Sequence, residues 1–389
     1  MRVIHVITRL IIGGAQENTI ATVLGLQARP GVQVKLYTGP ATGPEGSLHS
    51  TFDNIPGTLT YIPNLVRPLH PWRDVLAWRQ LATAFRRESP DIVHTHSGKA
   101  GFLGRLAAAQ ARVPVIFHTI HGPSFGSFQG AVPNAVFRAA ERRAGKVTTH
   151  FISVADAMTR QYLASGIGTA SQYTTLYSGF SLPPFLESRN DPAVRARWGL
   201  APEDIVVGKI ARLFKLKGHD DLFRAAPAIV RANPRIKFLL VGDGPWLGRF
   251  QNQAAVLGLR KHFIFTGLAN PAQIPGLVGI MDFAVHLSRR EGLPRVLPQA
   301  LAAGKPVIAY DCDGAGEVCF DHETGFLLRP GDLEGLTKKT CQLAADAGLR
   351  ERLGARGREF VRQRFGVESM VDAIYALYLK LAVGHRVQT

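Results

Sequence analysis

The chain has 389 residues, 46% of them hydrophobic and 19% charged; that length suits two domains, each able to bury its own core, and the composition excludes a disordered chain or a coiled coil. The formal charge is +17, with 17 Lys/Arg against 8 Asp/Glu over residues 1–185 and 29 against 21 over residues 186–389. A positive excess spread over both halves favours anionic partners such as phosphates or acidic lipid headgroups.

The opening run Val3–Ile7 predicts a strand, and with one arginine before it the run is too short for a signal peptide or a membrane span. Gly13-Gly14 follows, then a helix over Gln16–Leu26 and a strand over Val32–Tyr37. Val75, Leu76, Trp78, Leu81 and Phe85 fall on one helical stripe, and Ser89-Pro90 stops that helix. Next come a strand over Asp91–His94, a helix over Ala100–Ala111, a strand over Val115–Thr119, a helix over Asn134–Ala144 and a strand over Phe151–Val154. Residues 181–203 carry Pro183, Pro184, Asn190-Asp191-Pro192 and Gly199, and read as a linker. The alternation then restarts. Strands are expected at Ile205–Ala211, Ile236–Val241, Phe263–Thr266, Ala284–Leu287 and Val307–Tyr310, with a last edge strand at Phe326–Leu328. Helices are expected at Asp220–Ala232 and Leu247–Leu257, and a helical tail runs over Leu333–Leu381. Strand–helix alternation predicts the α/β class with parallel sheets wrapped by helices. The expected architecture is two Rossmann-like domains facing a central cleft, over 1–180 and 204–365, followed by a segment 366–389. In such sheets, ligands sit at the carboxyl ends of the strands.

Several loops at expected strand ends carry chemistry. Glu291-Gly292-Leu293-Pro294 turns from a strand toward a helix, where a carboxylate accepts sugar hydroxyls and exposed amides attract anions. Gln299 lies eight residues further on. Arg212 and Lys217 follow another strand, and two cations there suit a diphosphate leaving group. Gly13-Gly14 allows a backbone to approach a ligand, but it is not G-x-G-x-x-G, which argues against a nicotinamide cofactor. His121-Gly122 ends a strand, as does His94-Thr95-His96; a histidine there donates to a sugar hydroxyl. Those histidines with His118 lack metal-ligand spacing, so no zinc is expected. Asp311-Cys312-Asp313 is D-x-D in letters and reads as a surface turn. Gly242-Asp243-Gly244-Pro245 alone is a turn. Cys312, Cys319 and Cys341 are too few for a disulfide framework and are expected reduced.

Taken in order, these motifs resemble the retaining family 4 glycosyltransferases of the two-domain GT-B fold. The resemblance runs from Gly13-Gly14-Ala15 through His121-Gly122, Arg212 with Lys217, and Gly242-Asp243-Gly244-Pro245. It continues through Glu291-Gly292-Leu293-Pro294 to Ala303-Gly304-Lys305-Pro306-Val307-Ile308, and then to Gly314-Ala315-Gly316-Glu317-Val318 and Glu323-Thr324-Gly325-Phe326-Leu327. It implies a nucleotide-diphosphate sugar as substrate, a glycan or lipid-linked acceptor, and no metal or other cofactor. It implies that Glu291 holds donor-sugar hydroxyls, Arg212 and Lys217 grip the diphosphate, and His121 touches the transferring sugar. The Gly13-Gly14 loop would approach the donor phosphates or the acceptor, and the amides of Gly292 and Leu293 would complete the donor cradle. It further implies an acceptor-binding first domain, a donor-binding second domain, and a last helix around Val367–Leu381 that crosses back to the first. One position departs from the pattern: Gln299 stands where the family has a second glutamate, which weakens the grip on the nucleotide ribose by a charge-assisted bond. A cytoplasmic enzyme of cell-surface polysaccharide or glycolipid assembly is the expected setting. Trp72 and Trp78, with arginines 67, 73, 79, 86 and 87, form a candidate patch for an anionic membrane face. Nucleic acid is not expected, because aromatic and basic residues are not interleaved for base stacking. A nucleotide-sugar epimerase on the same fold and a non-catalytic binder of anions are the alternatives.

Overall fold

The structure, a computed structural model, describes residues 1–41, 46–126 and 128–386. The chain divides into two compact units, Met1–Phe180 with Val367–Thr389, and Ser181–Gly366.

The first unit holds β1 (Arg2–Ile7), β2 (Gln33–Thr38), β3 (Leu59–Tyr61), β4 (Ile92–His96), β5 (Val115–Ile120), β6 (His150–Ser153) and β7 (Tyr173–Thr175). They form one sheet in the order β3-β2-β1-β4-β5-β6-β7, with every pair parallel. The second unit holds β8 (Ile205–Ile210), β9 (Ile236–Val241), β10 (Phe263–Gly267), β11 (Phe283–His286), β12 (Val307–Tyr310) and β13 (Gly325–Leu328). Its sheet runs β10-β9-β8-β11-β12-β13, again parallel. In each sheet the strand order reverses once, between β1 and β4 and between β8 and β11. Helices leave those two strands toward opposite faces, so a crevice opens at their carboxyl ends.

The strands read as continuous apolar runs because both faces are covered: Val3, Ile4, Val6 and Ile7 are at most 2% exposed. On one face of the first sheet, Val3, Ile7, Ile92 and Phe117 pack with Met370, Val371, Ile374 and Tyr378 of the helix Val367–Arg386. That helix lies so close to the helix Gly14–Gln27 that a Cβ on Gly25 would stand 2.6 Å from Val371 Cγ2. The opposite face is closed by Leu81 and Phe85 of the helix Pro71–Glu88 and Leu103 and Ala107 of the helix Gly98–Gln110.

Residues 181–203, expected as a linker, are instead folded and belong to the second unit. Pro183–Leu186 and Pro192–Arg197 are short helices with proline in the first turn, where its missing N–H costs nothing. Asp191 caps the second by accepting from Ala193 N at 2.7 Å. Arg195 is buried and donates to the carbonyls of Ala201 and Asp204 at 2.7 Å each. The prolines that suggested a break therefore start helices. The short strands β3 and β7 and the helix Asp156–Ala164 carry apolar runs too brief to be read. No helix of the described residues is long and apolar enough to cross a membrane.

One buried ion pair ties the helix Gly98–Gln110 to the helix Ala131–Gly145. Arg105, fully buried, meets Glu141 at 2.6 Å and also donates to Gly101 O at 2.8 Å. Removing one partner of such a pair leaves a charge stranded away from water. Glu141→Ala is expected to cost about 3–5 kcal/mol, read as an earlier urea unfolding midpoint for the first unit. An unchanged midpoint would mean that water reaches Arg105.

Candidate active site

In the second unit, the segment after β8 and the segment after β11 meet where the strand order reverses. Lys217 Nζ donates to Glu291 Oε1 at 2.5 Å, and His286 Nε2 lies 3.4 Å from the same oxygen. Burial pushes the Glu291 carboxyl up, but the Lys217 ammonium and the His286 ring outweigh it and hold the group well below the usual carboxylate range. Glu291 is therefore a carboxylate at neutral pH.

The backbone around Lys217 explains how it is aimed. Gly218 has φ +68°, and a Cβ there would stand 1.9 Å from Leu287 O; only glycine lets this turn lie against the end of β11. Leu216, immediately before Lys217, also takes a positive φ of 74°, which costs a bulky residue ~1–3 kcal/mol. Its carbonyl accepts the Arg289 N–H at 2.9 Å, and Arg289 in turn pairs with Asp221 at 2.6 Å.

Arg212 lies in the same segment, with its guanidinium 5.2 Å from the Phe214 ring. The turn Gly242–Pro245, which read as an ordinary turn, is the clamp of this segment. Leu213 N donates to Asp243 O at 2.9 Å, and Trp246 N donates to Leu213 O at 3.0 Å. A Cβ on Gly242 would stand 2.4 Å from Ala211 O.

Asp313 does not stand free as half of a D-x-D pair. Its carboxylate accepts the Glu291 N–H at 2.7 Å, and Gly314 N donates to Gly292 O at 2.9 Å. The turn after β12 thus holds the Glu291 loop. Leu293 is buried, and the helix that follows is only Val296–Ala302. The amides of Gly292 and Leu293 lie in the loop ahead of that helix rather than at its start. Gln299 is half-buried on the helix, between buried Pro298 and Ala300.

Sequence reasoning missed four residues here. Lys209 on β8 is 1% exposed, and its Nζ has no hydrogen-bond partner. Burial, reinforced by the charge of Lys217, lowers its ammonium to about 7 against the opposing pull of Glu291 and Asp221. His219 is buried, with Nε2 3.1 Å from Arg212 O. His286 and Ser288 are also buried; His286 Nε2 faces Glu291 Oε1, while Ser288 Oγ has no hydrogen-bond partner. The available signal was a lysine inside the apolar strand Ile205–Ala211.

In the first unit, Gly13 precedes the helix Gly14–Gln27 that follows β1, and His121 directly follows β5. His121 Nε2 lies 3.0 Å from His96 Nδ1, and His96 Nε2 lies 2.9 Å from His5 Nδ1. His5, His94 and His96 bring ring nitrogens within 4.8 Å of one another, as metal ligands would. Burial holds His5 near 3, and burial together with the neighbouring imidazoles keeps His94 and His96 well below their ordinary value. These rings are neutral, and their nitrogens face one another, Tyr378 and Thr119.

Two family descriptions match the chain: "Glycosyl transferase 4-like domain" over residues 13–179 and "Glycosyl transferases group 1" over residues 190–360. A GDP-mannose-dependent alpha-(1-6)-phosphatidylinositol monomannoside mannosyltransferase of Mycolicibacterium smegmatis is 31% identical over 75% of this chain and 78% of its own. The UDP-Gal:alpha-D-GlcNAc-diphosphoundecaprenol alpha-1,3-galactosyltransferase of Escherichia coli is 27% identical over 83% of this chain and 84% of its own. Among solved structures, Anabaena HepE in complex with UDP superposes with a TM-score of 0.81 at 22% identity, covering 98% of this chain and all of that one.

Lys209 makes stability depend on pH. Its folded value near 7 lies below the ~10.4 of an unfolded lysine, so the unfolded chain binds the extra proton between those values and stability rises with pH across that window. The urea midpoint of the wild type is expected to increase from pH 7 to pH 9 more than that of Lys209→Met. Parallel profiles would mean that Lys209 stays charged in the fold.

Proposed function

The chain belongs to the group 1 glycosyl transferases, the family 4 glycosyltransferases of the GT-B fold, and from that premise we propose that it moves a sugar from a nucleotide-diphosphate donor to a glycan or lipid-linked acceptor, with retention of configuration and without a metal ion. The observation that carries this reading is the Lys217–Glu291 pair at the β8/β11 reversal, with Arg212 in the same segment. A carboxylate held ionised accepts two sugar hydroxyls. Lys217 and Arg212 supply positive charge where a diphosphate gathers negative charge as the sugar departs, which is the work a metal otherwise does. Asp313, engaged by the Glu291 amide, has a structural task, which favours metal independence.

The remaining roles follow the same assignment. Gly292 and Leu293 offer loop amides, Gln299 offers one neutral acceptor to the nucleotide ribose, and Gly13-Gly14 lies at the β1/β4 reversal of the first unit. His121 is assigned to the transferring sugar. The named relatives, which use UDP-galactose or GDP-mannose on lipid-linked acceptors, support a glycolipid or cell-surface polysaccharide product and a place on the cytoplasmic side of a membrane. Of the two tryptophans of the candidate patch, Trp72 is exposed, with Leu69 and Val75, whereas Trp78 packs against the core; the exposed set with the arginines of the helix Pro71–Glu88 suits an anionic lipid surface.

Glu291→Ala and Arg212→Ala are each expected to lower turnover at least tenfold, which is about 1.4 kcal/mol of transition-state stabilisation, with UDP- and GDP-sugars as donors. EDTA is expected to leave turnover intact. Near-normal rates in both variants would remove the site assignment, and loss in EDTA restored by manganese would return Asp311 and Asp313 to a metal role. Co-sedimentation with vesicles containing anionic lipid at low salt is expected to weaken in Trp72→Ala; equal pelleting of both proteins would discard the membrane patch.

A further inference from the structure

The segment that carries Arg212 and Lys217 is pinned on both sides of one aromatic residue, Phe214. Leu213 is fully buried in the apolar core of the second unit. Its N–H donates to Asp243 O at 2.9 Å, and its carbonyl accepts from Trp246 N at 3.0 Å. On the other side, the Leu216 carbonyl accepts the Arg289 N–H at 2.9 Å, and Gly218 lies against Leu287 O. Between these anchors the Phe214 N–H donates to Arg212 O at 3.0 Å, a carbonyl that His219 Nε2 also approaches, at 3.1 Å. The backbone from Arg212 to Gly218 is therefore fixed. Leu213 enters the apolar core, whereas the Phe214 ring is half-buried and lies outside that cluster.

Both cations of the segment stand over this ring. The Arg212 guanidinium carbon is 5.2 Å from the ring centroid, and Lys217 Nζ is 6.0 Å from it. The negative face of an aromatic ring attracts cations out to about 6 Å. The Arg212 contact is thus the stronger, and Lys217 sits at the outer reach of the effect. A fixed backbone does not fix the ends of these side chains, because arginine and lysine keep several rotatable bonds whose freedom is lost on closing over a ligand. Like charges in one segment also repel. A carboxylate would order them, but it would cancel charge that a diphosphate needs, and Lys217 already pairs with Glu291 at 2.5 Å. A ring holds a cation through its quadrupole and leaves the net charge in place.

We propose that Phe214 is a positioning residue whose ring face holds Arg212, and more weakly Lys217, in place for the diphosphate of the nucleotide-sugar donor. The ring acts in addition to the other contacts that those cations make. The inference rests on the reading of Arg212 and Lys217 as the diphosphate cations. The competing account is that Phe214 only fills space on the loop, in which case its size matters and its electrons do not.

The test separates the two by changing ring electronics at nearly constant shape. In the full chain, Phe214 is replaced site-specifically by mono-, di- and trifluorophenylalanine, whose fluorines withdraw electrons from the ring face, and Kd for UDP and for GDP is measured by titration calorimetry. For the nucleotide that the wild type binds, affinity is expected to fall with each added fluorine, by about two- to fivefold over the series. Phe214→Leu is expected to lose at least as much, and Phe214→Tyr, which keeps the ring face, to bind about as tightly as the wild type. In an Arg212→Gln background the fluorinated series is expected to lose most of its slope. Equal affinity across the series would overturn the proposal. So would tighter binding on fluorination, which would mean that the ring holds the cations away from the ligand. If Phe214→Leu does not fold, the fluorinated series still decides. A wild type that binds neither UDP nor GDP would overturn the diphosphate reading and this proposal together, whereas binding insensitive to fluorine would leave that reading standing and remove Phe214 alone.

Discussion

The charged chemistry of the second unit depends on one reversal of strand order. Because β11 adds to β8 on the side away from β9, the segments that leave β8 and β11 emerge side by side. That neighbourhood lets a lysine and a glutamate 74 positions apart in the sequence close to 2.5 Å. Every supporting device serves the same junction: the glycine that lets the turn lie on Leu287 O, the strained Leu216, the clamp from Gly242–Pro245, and the Asp313 carboxylate under the Glu291 amide. None of these touches a substrate in the proposed reaction. They hold the charged groups where solvent reorganisation is not needed when charge develops.

The same junction concentrates unpaired polar atoms. Lys209 Nζ, His219 Nδ1 and Ser288 Oγ are buried without hydrogen-bond partners. A stable core does not normally keep three such atoms together, because each costs about 1–3 kcal/mol. Leu216 adds backbone strain beside them. Concentrated cost of this kind is expected where preorganisation matters more than stability. Lys217 pairs with Glu291, Arg212 lies in the same segment, and Asp221 is already held by Arg289 and Tyr310.

The sheets were legible in the sequence because parallel strands covered on both faces read as apolar runs, and β1, β5, β9 and β12 fall where those runs lie. The segment 181–203 was misread because proline marks both a break and a first helical turn, and the sequence does not say which until Asp191 is seen to cap. At the candidate site, Glu291, Lys217 and Arg212 stood out as charged residues in loops at expected strand ends. Lys209 did not, because a lysine within a strand usually points to solvent; only the covered face of β8 reveals it as buried. Asp313 was visible only as a letter pattern, and its partner is a backbone amide 22 residues away. The pairing of Tyr378 with His5 spans 373 positions, and no local periodicity signals it.

The two sheets reverse at equivalent places and gather ionisable groups there in opposite manners. At β8/β11 a carboxylate is kept charged: Lys217 holds Glu291 ionised, while burial, reinforced by Lys217, lowers the Lys209 ammonium to about 7. At β1/β4 they are kept neutral: burial leaves His5, His94 and His96 uncharged, and no carboxylate belongs to their cluster. A charged cradle suits a leaving diphosphate, whose binding depends on net electrostatic attraction. A common topology thus supplies two crevices, one built on an ion pair and the other on hydrogen-bonded neutral rings.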